Sequence, residues 1–327
     1  MKQTSLKSNF LFNLIYQILA VITPIFTTPY ISRVLSADGI GKYSYALSIV
    51  TYFGIFGCLG TATYGQLEIA RNRDNKKLLH KTVSEIFFGR LVTLMISLLI
   101  YFAVILKASG QYKLLYSVLS LYILGQMNDV SFILQGLEWF KMLAMRNIII
   151  KVLNIVLIFA LVREHNDLYI YAIIIHGITL IGNFSLWPQV IKYIKPKSFK
   201  NMNFIQHWKK SMIYFIPTVA TMVYTVLDKS MIGWITGSEF QNGYYEQAYK
   251  IEQILLVFVT TVGTVTFPRM AYFFENDNKE ERKRIMGITM KFIMLIACPI
   301  CFGTMAISEN LIPVFLGKGY EECILLL

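Results

Sequence analysis

Residues 83–106 read VSEIFFGRLVTLMISLLIYFAVIL. As an α-helix this 24-residue run rises about 36 Å, enough to cross the roughly 30 Å hydrocarbon core of a bilayer. Arg71, Arg73, Lys76, Lys77 and Lys81 crowd its approach, whereas the break after it holds only Lys107 and Lys113. Lys and Arg collect in cytoplasmic loops. The run therefore has a direction as well as a length, and starts on the cytoplasmic side.

The same rhythm extends to both ends of the chain. Apolar runs occupy 9–32 and 41–67 before it and 113–136, 142–162, 168–191, 211–236, 243–268 and 286–307 after it, and a tenth begins near Glu322. The breaks are alternately basic and nearly uncharged. One side collects nineteen Lys and Arg, among them Lys2, Lys7, Lys141, Lys192, Lys195, Lys197, Lys200, Lys209, Lys210, Arg269 and Arg284. The other side has six: Arg33, Lys42, Lys107, Lys113, Arg163 and Lys318. That asymmetry predicts an all-α, polytopic helix bundle in the inner (cytoplasmic) membrane, with a cytoplasmic N-terminus. Lys2 and Lys7 before Phe10–Ile31 mimic a signal peptide. The run is too long for one and has no small-residue cleavage site, so it reads as an uncleaved first span.

Composition agrees. The chain has 327 residues, 55% of them hydrophobic, a mean hydropathy of +0.53 and 15% charged residues, against about 25% charged in a typical soluble domain. The net charge of +12 does not indicate nucleic acid. The basic residues lie in short loops, and no basic helix is interleaved with aromatics. Cys298 and Cys301 form a C-x-x-C inside an apolar run beside Pro299, a setting for packing rather than metal or redox chemistry. His80, His165, His176 and His207 make no ligand pair, and Walker, G-x-S-x-G and G-x-G-x-x-G motifs are absent from the sequence. No cofactor or metal is expected.

An internal repeat divides the chain. Gly41, Tyr43, Ala46 and Ile49 recur as Gly243, Tyr245, Ala248 and Ile251, an offset of 202, and Gly60–Tyr64 recurs as Gly263–Phe267, an offset of 203. Six spans separate the copies, so both run the same way through the membrane. Parallel lobes related by an axis along the membrane normal follow. The expected division is a six-helix lobe at 1–194, a cytoplasmic interfacial linker at 195–210 with Trp208 and Lys209 at the membrane surface, and a partial second lobe at 211–327. That second lobe would hold three spans and the start of a fourth, so the chain reads as truncated.

The spans carry polar residues that a passive anchor does not need: Asn9, Asn13, Gln17, Thr23, Thr27 and Thr28 in the first, Gln126, Asn128, Asp129 and Gln135 in the fourth, and Asp228, Lys229, Lys250 and Glu252 in the seventh and eighth. Charge at membrane depth is costly and usually faces a bundle interior or a water-filled path. Asp129, Lys250 and Glu252 fit such a path. Arg33 and Arg90 near span ends fit snorkelling equally well, and Lys151 admits either reading. Asp228 and Lys250 both lie about 10–13 Å below the outer surface at 1.5 Å per residue. Asp228 or Lys229 is therefore predicted to pair with Lys250 or Glu252 across the hairpin. Pro24, Pro29 and Pro217 predict kinks.

Several segments together carry a resemblance. They are Asn13–Gln17 (NLIYQ), Pro29–Leu35 (PYISRVL), Gly39–Ser44 (GIGKYS), Asp228–Gly233 (DKSMIG), Gly243–Glu246 (GYYE) and Pro268-Arg269. The chain resembles bacterial oligosaccharide flippases of the multidrug/oligosaccharidyl-lipid/polysaccharide exporter superfamily along essentially its whole length. The resemblance implies a MATE-like fold of two six-helix lobes around a central cavity, no enzymatic reaction, and export of repeat units for O-antigen, capsule or exopolysaccharide. The implied substrate is a polyprenyl-diphosphate-linked oligosaccharide, with membrane lipid and other polysaccharide-assembly membrane proteins as partners. Members use cationic cavity residues, for which Arg33, Arg90, Lys151, Lys229 and Lys250 are the candidates. Asp129, Asp228 and Glu252 could carry coupling protons or gate the path; alternatively the anionic substrate follows the membrane potential. A cation-coupled drug antiporter of the same superfamily is the nearest rival. A membrane-embedded polymerase or ligase would need a large extracytoplasmic loop, which the sequence lacks.

Overall fold

The structure, a computed structural model, describes residues 6–105, 112–195, 203–275 and 279–327, and the side chains of these except 6–14, 16, 17, 263–265 and 267–275. Lys2, Lys107, Lys197 and Lys200, the side chains of Asn9, Asn13, Gln17 and Arg269, and most of the Gly263–Phe267 copy of the repeat fall outside that set. Among the described residues there is no strand. Within lipid an isolated segment can satisfy its backbone only as a helix.

Helix α1 runs Leu6–Cys58, 53 residues or about 80 Å, more than twice a hydrocarbon core. It is two helices meeting at Ser36, whose φ of 57° and ψ of 174° break the helix. The second arm ends in two left-handed residues, Leu59 (φ 48°) and Gly60 (φ 69°). Gly60 takes that conformation without penalty. It also lets another backbone approach, since a Cβ there would lie 2.6 Å from the Phe215 amide nitrogen. The run expected at 41–67 is thus not one helix: it stops at Cys58 and resumes as α2, Thr61–Asn72.

Helix α3, Lys76–Ile105, contains the run at 83–106 except its last residue. The run at 113–136 splits into α4, Tyr112–Met127, and α5, Ser131–Gly136. Asp129 Oδ1 accepts the Ser131 amide at 2.9 Å at the break. Then come α6 (Phe140–Leu161), α7 (Leu168–Phe184) and the short α8 (Trp187–Val190). Helices α9 (Phe204–Thr225) and α10 (Leu227–Thr236) bend by 42° at Val226. Helices α11 (Glu239–Glu275), α12 (Lys279–Phe315) and α13 (Cys323–Leu326) complete the described chain. The helices break at Ser36, at Leu59–Gly60, between Met127 and Ser131 and at Val226, and run on through Pro24, Pro29 and Pro217.

Six of these segments are long and apolar enough to cross a membrane, or seven with the bent pair. That count takes both arms of α1 as one segment and omits α11, whose first half carries Glu246, Lys250 and Glu252. The exposed side chains suit lipid: Leu99 on α3, Val156 on α6, Ile213 and Ile216 on α9, and Leu295 and Phe302 on α12. Water would not tolerate such a continuous apolar surface. This is a multi-pass membrane protein.

The second arm of α1 lies at the centre. Ser97 Oγ of α3 donates to the Phe53 carbonyl at 2.6 Å and Thr93 Oγ1 to the Gly57 carbonyl at 2.6 Å, so the two helices run antiparallel. Leu35, Val50, Leu94, Leu119, Ile123 and Ala172 are fully buried around it. The end of the bundle near Ser36 is here called the far face, and the end near Cys58 and α2 the near face. At the near face α9 docks on α3: His207 Nε2 lies 3.0 Å from Glu85 Oε2, and Tyr64 Oη 2.8 Å from His207 Nδ1. Trp208 and Lys209, expected on a surface linker, form the first turns of α9.

Candidate translocation site

At the far face the second arm of α1 crosses α11 with almost no space between the backbones. A Cβ on Gly41 would collide with the Glu239 carbonyl, and one on Gly243 with the Ala37 carbonyl. These two contacts are the same contact twice. Ala37 and Glu239 are 202 residues apart, as are Gly41 and Gly243, so the crossing has an approximate two-fold axis. Only glycine permits so close an approach. Around it, Lys42 Nζ lies 3.3 Å from Glu239 Oε2, Tyr112 Oη donates to Glu239 Oε1 at 2.7 Å, and His165 Nε2 lies 3.2 Å from Asp38 Oδ2. Tyr320 Oη donates to the Ser32 carbonyl at 3.0 Å.

One to two turns deeper lies a charged hub on Glu246. Its Oε2 is 2.6 Å from Lys229 Nζ and accepts Ser44 Oγ at 2.8 Å; its Oε1 is 3.7 Å from Lys250 Nζ. Ser44 and Glu246 are again 202 residues apart, so they too sit on the approximate axis. Glu246 is buried, and an ion there needs its partners. Lys229 Nζ also lies 4.6 Å from the Tyr249 ring centre, a favourable cation–π position. Tyr245 Oη donates to Asp228 Oδ2 at 2.8 Å. Below the hub, Ser230 Oγ meets Ser48 Oγ at 2.9 Å and Tyr52 Oη at 2.7 Å.

A second polar cluster lies within the helices before residue 195. Arg90 is 2% exposed. Its Nη2 donates to the Gln126 backbone and side-chain oxygens at 3.1 and 3.3 Å and lies 3.9 Å from Asp129 Oδ2. Phe132 stacks 5.4 Å from its guanidinium. Beside it is a cavity of about 150 Å³, lined in part by Gln126, Asp129, Arg146, His176, Thr179 and Asn183. Arg146 Nη1 donates to Asn183 Oδ1 at 2.8 Å. Among the described residues, no group of three or more His, Cys, Asp or Glu is placed to hold a metal.

Of the residues singled out in the sequence, Lys229 and Lys250 meet at the hub, Asp228 stands beside it, and Arg90 and Asp129 meet in the second cluster. The other three join neither. Arg33 is exposed at the far face and donates to the Val314 carbonyl at 2.8 Å, Lys151 is half-buried on α6, and Glu252 is exposed on α11. The expected hairpin pairing is corrected in its partner: neither Lys250 nor Glu252 takes up Asp228 or Lys229 directly, and Glu246 stands between the two lysines. Two signals in the sequence pointed to Glu246, its place four residues before Lys250 and its offset of 202 from Ser44.

Comparison with known proteins places the chain. The polysaccharide biosynthesis protein family matches residues 6–274. The chain belongs to that family. Within it, the chain is 23% identical to a "Putative O-antigen transporter" of Shigella dysenteriae over 303 residues, covering 91% of this chain and 74% of the relative. It is 22% identical over 127 residues to a "Probable low-salt glycan biosynthesis flippase" of Haloferax volcanii, covering 39% and 26% of the two chains. A multidrug resistance MATE family transporter of the MOP superfamily, solved in an inward-facing conformation, has the same fold at a TM-score of 0.63 and 15% identity, covering 88% and 72%. This polysaccharide biosynthesis protein therefore has a MATE-like fold.

Proposed function

We propose that the chain is an alternating-access flippase in a bacterial cytoplasmic membrane. It takes a polyprenyl-diphosphate-linked oligosaccharide from the inner leaflet and presents it to the outer one, for O-antigen, capsule or exopolysaccharide assembly. The N-terminus and the near face are cytoplasmic, as the distribution of Lys and Arg argues. The two lobes are residues 1–194 and 211–327. The observation that carries the reading is the pair Lys229 and Lys250 at membrane depth, just beneath a crossing that closes the far face. A diphosphate needs cations with donors away from bulk water, and its polyprenyl tail stays in lipid. Arg33, Arg90 and Lys151 are further cationic contacts for a path that changes shape during the cycle. Asp129, Asp228 and Glu252 are proposed coupling or gating carboxylates, tested by amide substitution of each.

The deciding experiment is the leaflet distribution of lipid-linked oligosaccharide in cells with and without the intact gene. Accumulation on the cytoplasmic face after deletion supports the reading. An unchanged distribution with loss of resistance to cationic drugs points to the antiporter instead.

A further inference from the structure

We propose that Glu246 is a built-in counter-ion that the diphosphate of the substrate displaces, and that this displacement releases the far face. The inference rests on the flippase reading above. Glu246 performs two tasks with one carboxylate. It neutralises part of the charge of Lys229 and Lys250, at 2.6 and 3.7 Å, and its Oε2 accepts Ser44 Oγ from α1 at 2.8 Å. The first task lies within one side of the crossing; the second joins the two sides. Two lysines share this one carboxylate. Asp228 stays charged beside the hub, where it accepts Tyr245 Oη, but it makes no ion pair with either lysine, and Glu252 is exposed.

A diphosphate carries more charge and more acceptor oxygens than a carboxylate, and binds ammonium groups through charge-assisted hydrogen bonds. Once it holds Lys229 and Lys250, Glu246 faces an anion without its own cations, and like charge drives it out. The Ser44 bond goes with it. What then joins the two sides is the rim, Lys42–Glu239 and Tyr112–Glu239, whose ion pair is partly exposed and weak for that reason, together with the Ser48 and Tyr52 bonds to Ser230 below. Substrate arrival thus favours the open conformation, as an effector must if it is to shift a population.

The test uses the protein in lipid nanodiscs, spin labels on Lys113→Cys and Gln241→Cys across the far face, and geranylgeranyl diphosphate as probe. In otherwise wild-type protein the probe should bind and widen the label distance. Glu246→Gln should bind the probe at least about tenfold tighter, but, since its amide oxygen still accepts Ser44 Oγ, it should start closed and widen on binding. Ser44→Ala should start wide, and with its counter-ion intact its affinity should rise less than that of Glu246→Gln. Wild-type binding with Glu246→Gln unaltered or weaker overturns the proposal, as does a Ser44→Ala protein that stays closed and responds like wild type. The latter comparison serves even where Glu246→Gln does not fold. Wild-type protein that fails to bind the probe overturns the flippase reading itself.

Discussion

Replacing Gly41 with alanine puts one methyl group into the tightest point of the crossing. The new Cβ would overlap the Glu239 carbonyl, and that neighbour is backbone, so no side chain can swing aside. The helices must separate instead. Overpacking of this kind costs about 1–3 kcal/mol. Here the cost falls only on the conformation in which α1 and α11 touch. A conformation open at the far face carries no such clash, so the penalty becomes a shift in population of about 5- to 150-fold toward it. Ala248, 5% exposed on α11 beneath the crossing, reports the shift. On Ala248→Cys protein in sealed vesicles, a membrane-impermeant maleimide applied to the far face should label the Gly41→Ala background about tenfold or more faster. Gly243→Ala should act alike, since it meets the Ala37 carbonyl in the same way. The double variant should add little, because both changes open one contact. Equal labelling rates in all four backgrounds would refute the close approach.

Other outcomes follow from the buried charges and the near face. Asp129→Ala leaves the Arg90 guanidinium buried without a carboxylate, beside Gln126, the Phe132 ring and the Cys58 sulfur at 3.6 Å, and should cost about 3 kcal/mol, read as a drop in detergent melting temperature. Arg90→Met strands a carboxylate that is one-quarter exposed and already bonded to the Ser131 amide, so it should cost less; a larger loss than for Asp129→Ala contradicts this account. Glu239→Gln removes the Lys42 ion pair but keeps an acceptor for Tyr112, so stability should change by less than about 1 kcal/mol, whereas far-face labelling of Ala248→Cys should rise modestly. His207→Ala deletes the link between Glu85 and Tyr64 and should expose the start of α9 to limited proteolysis at the near face, with cleavage at the wild-type rate counting against the docking.

The run at 83–106 was legible because length and hydropathy alone decide whether a segment spans a bilayer. The break at Ser36 falls in the gap between the runs at 9–32 and 41–67, but the break at Leu59 was not legible. Leucine does not announce a left-handed conformation, and an apolar run through Leu59 looks continuous. The hub was half legible. Depth below the membrane surface brings Asp228 and Lys229 level with Lys250, but depth says nothing about which way a helical side chain points. Glu246 and Lys250, four residues apart, share a face; Glu252, two residues beyond Lys250, turns about 200° away and ends exposed. Arg33 shows the same limit. Its position near a span end was clear, but its bond to the Val314 carbonyl depends on where α12 ends, a long-range matter with no local signature.

The Ser44–Glu246 bond has a consequence for how such a fold could arise. A residue on a two-fold axis meets its own counterpart. Two identical half-chains assembled around this crossing would therefore place serine against serine, which leaves the neighbouring lysines unanswered, or glutamate against glutamate, which repel each other at contact distance. Neither pairing provides one negative charge shared by two cations. Halves that differ at positions 44 and 246, as joining them in one chain permits, can put a single carboxylate at the centre.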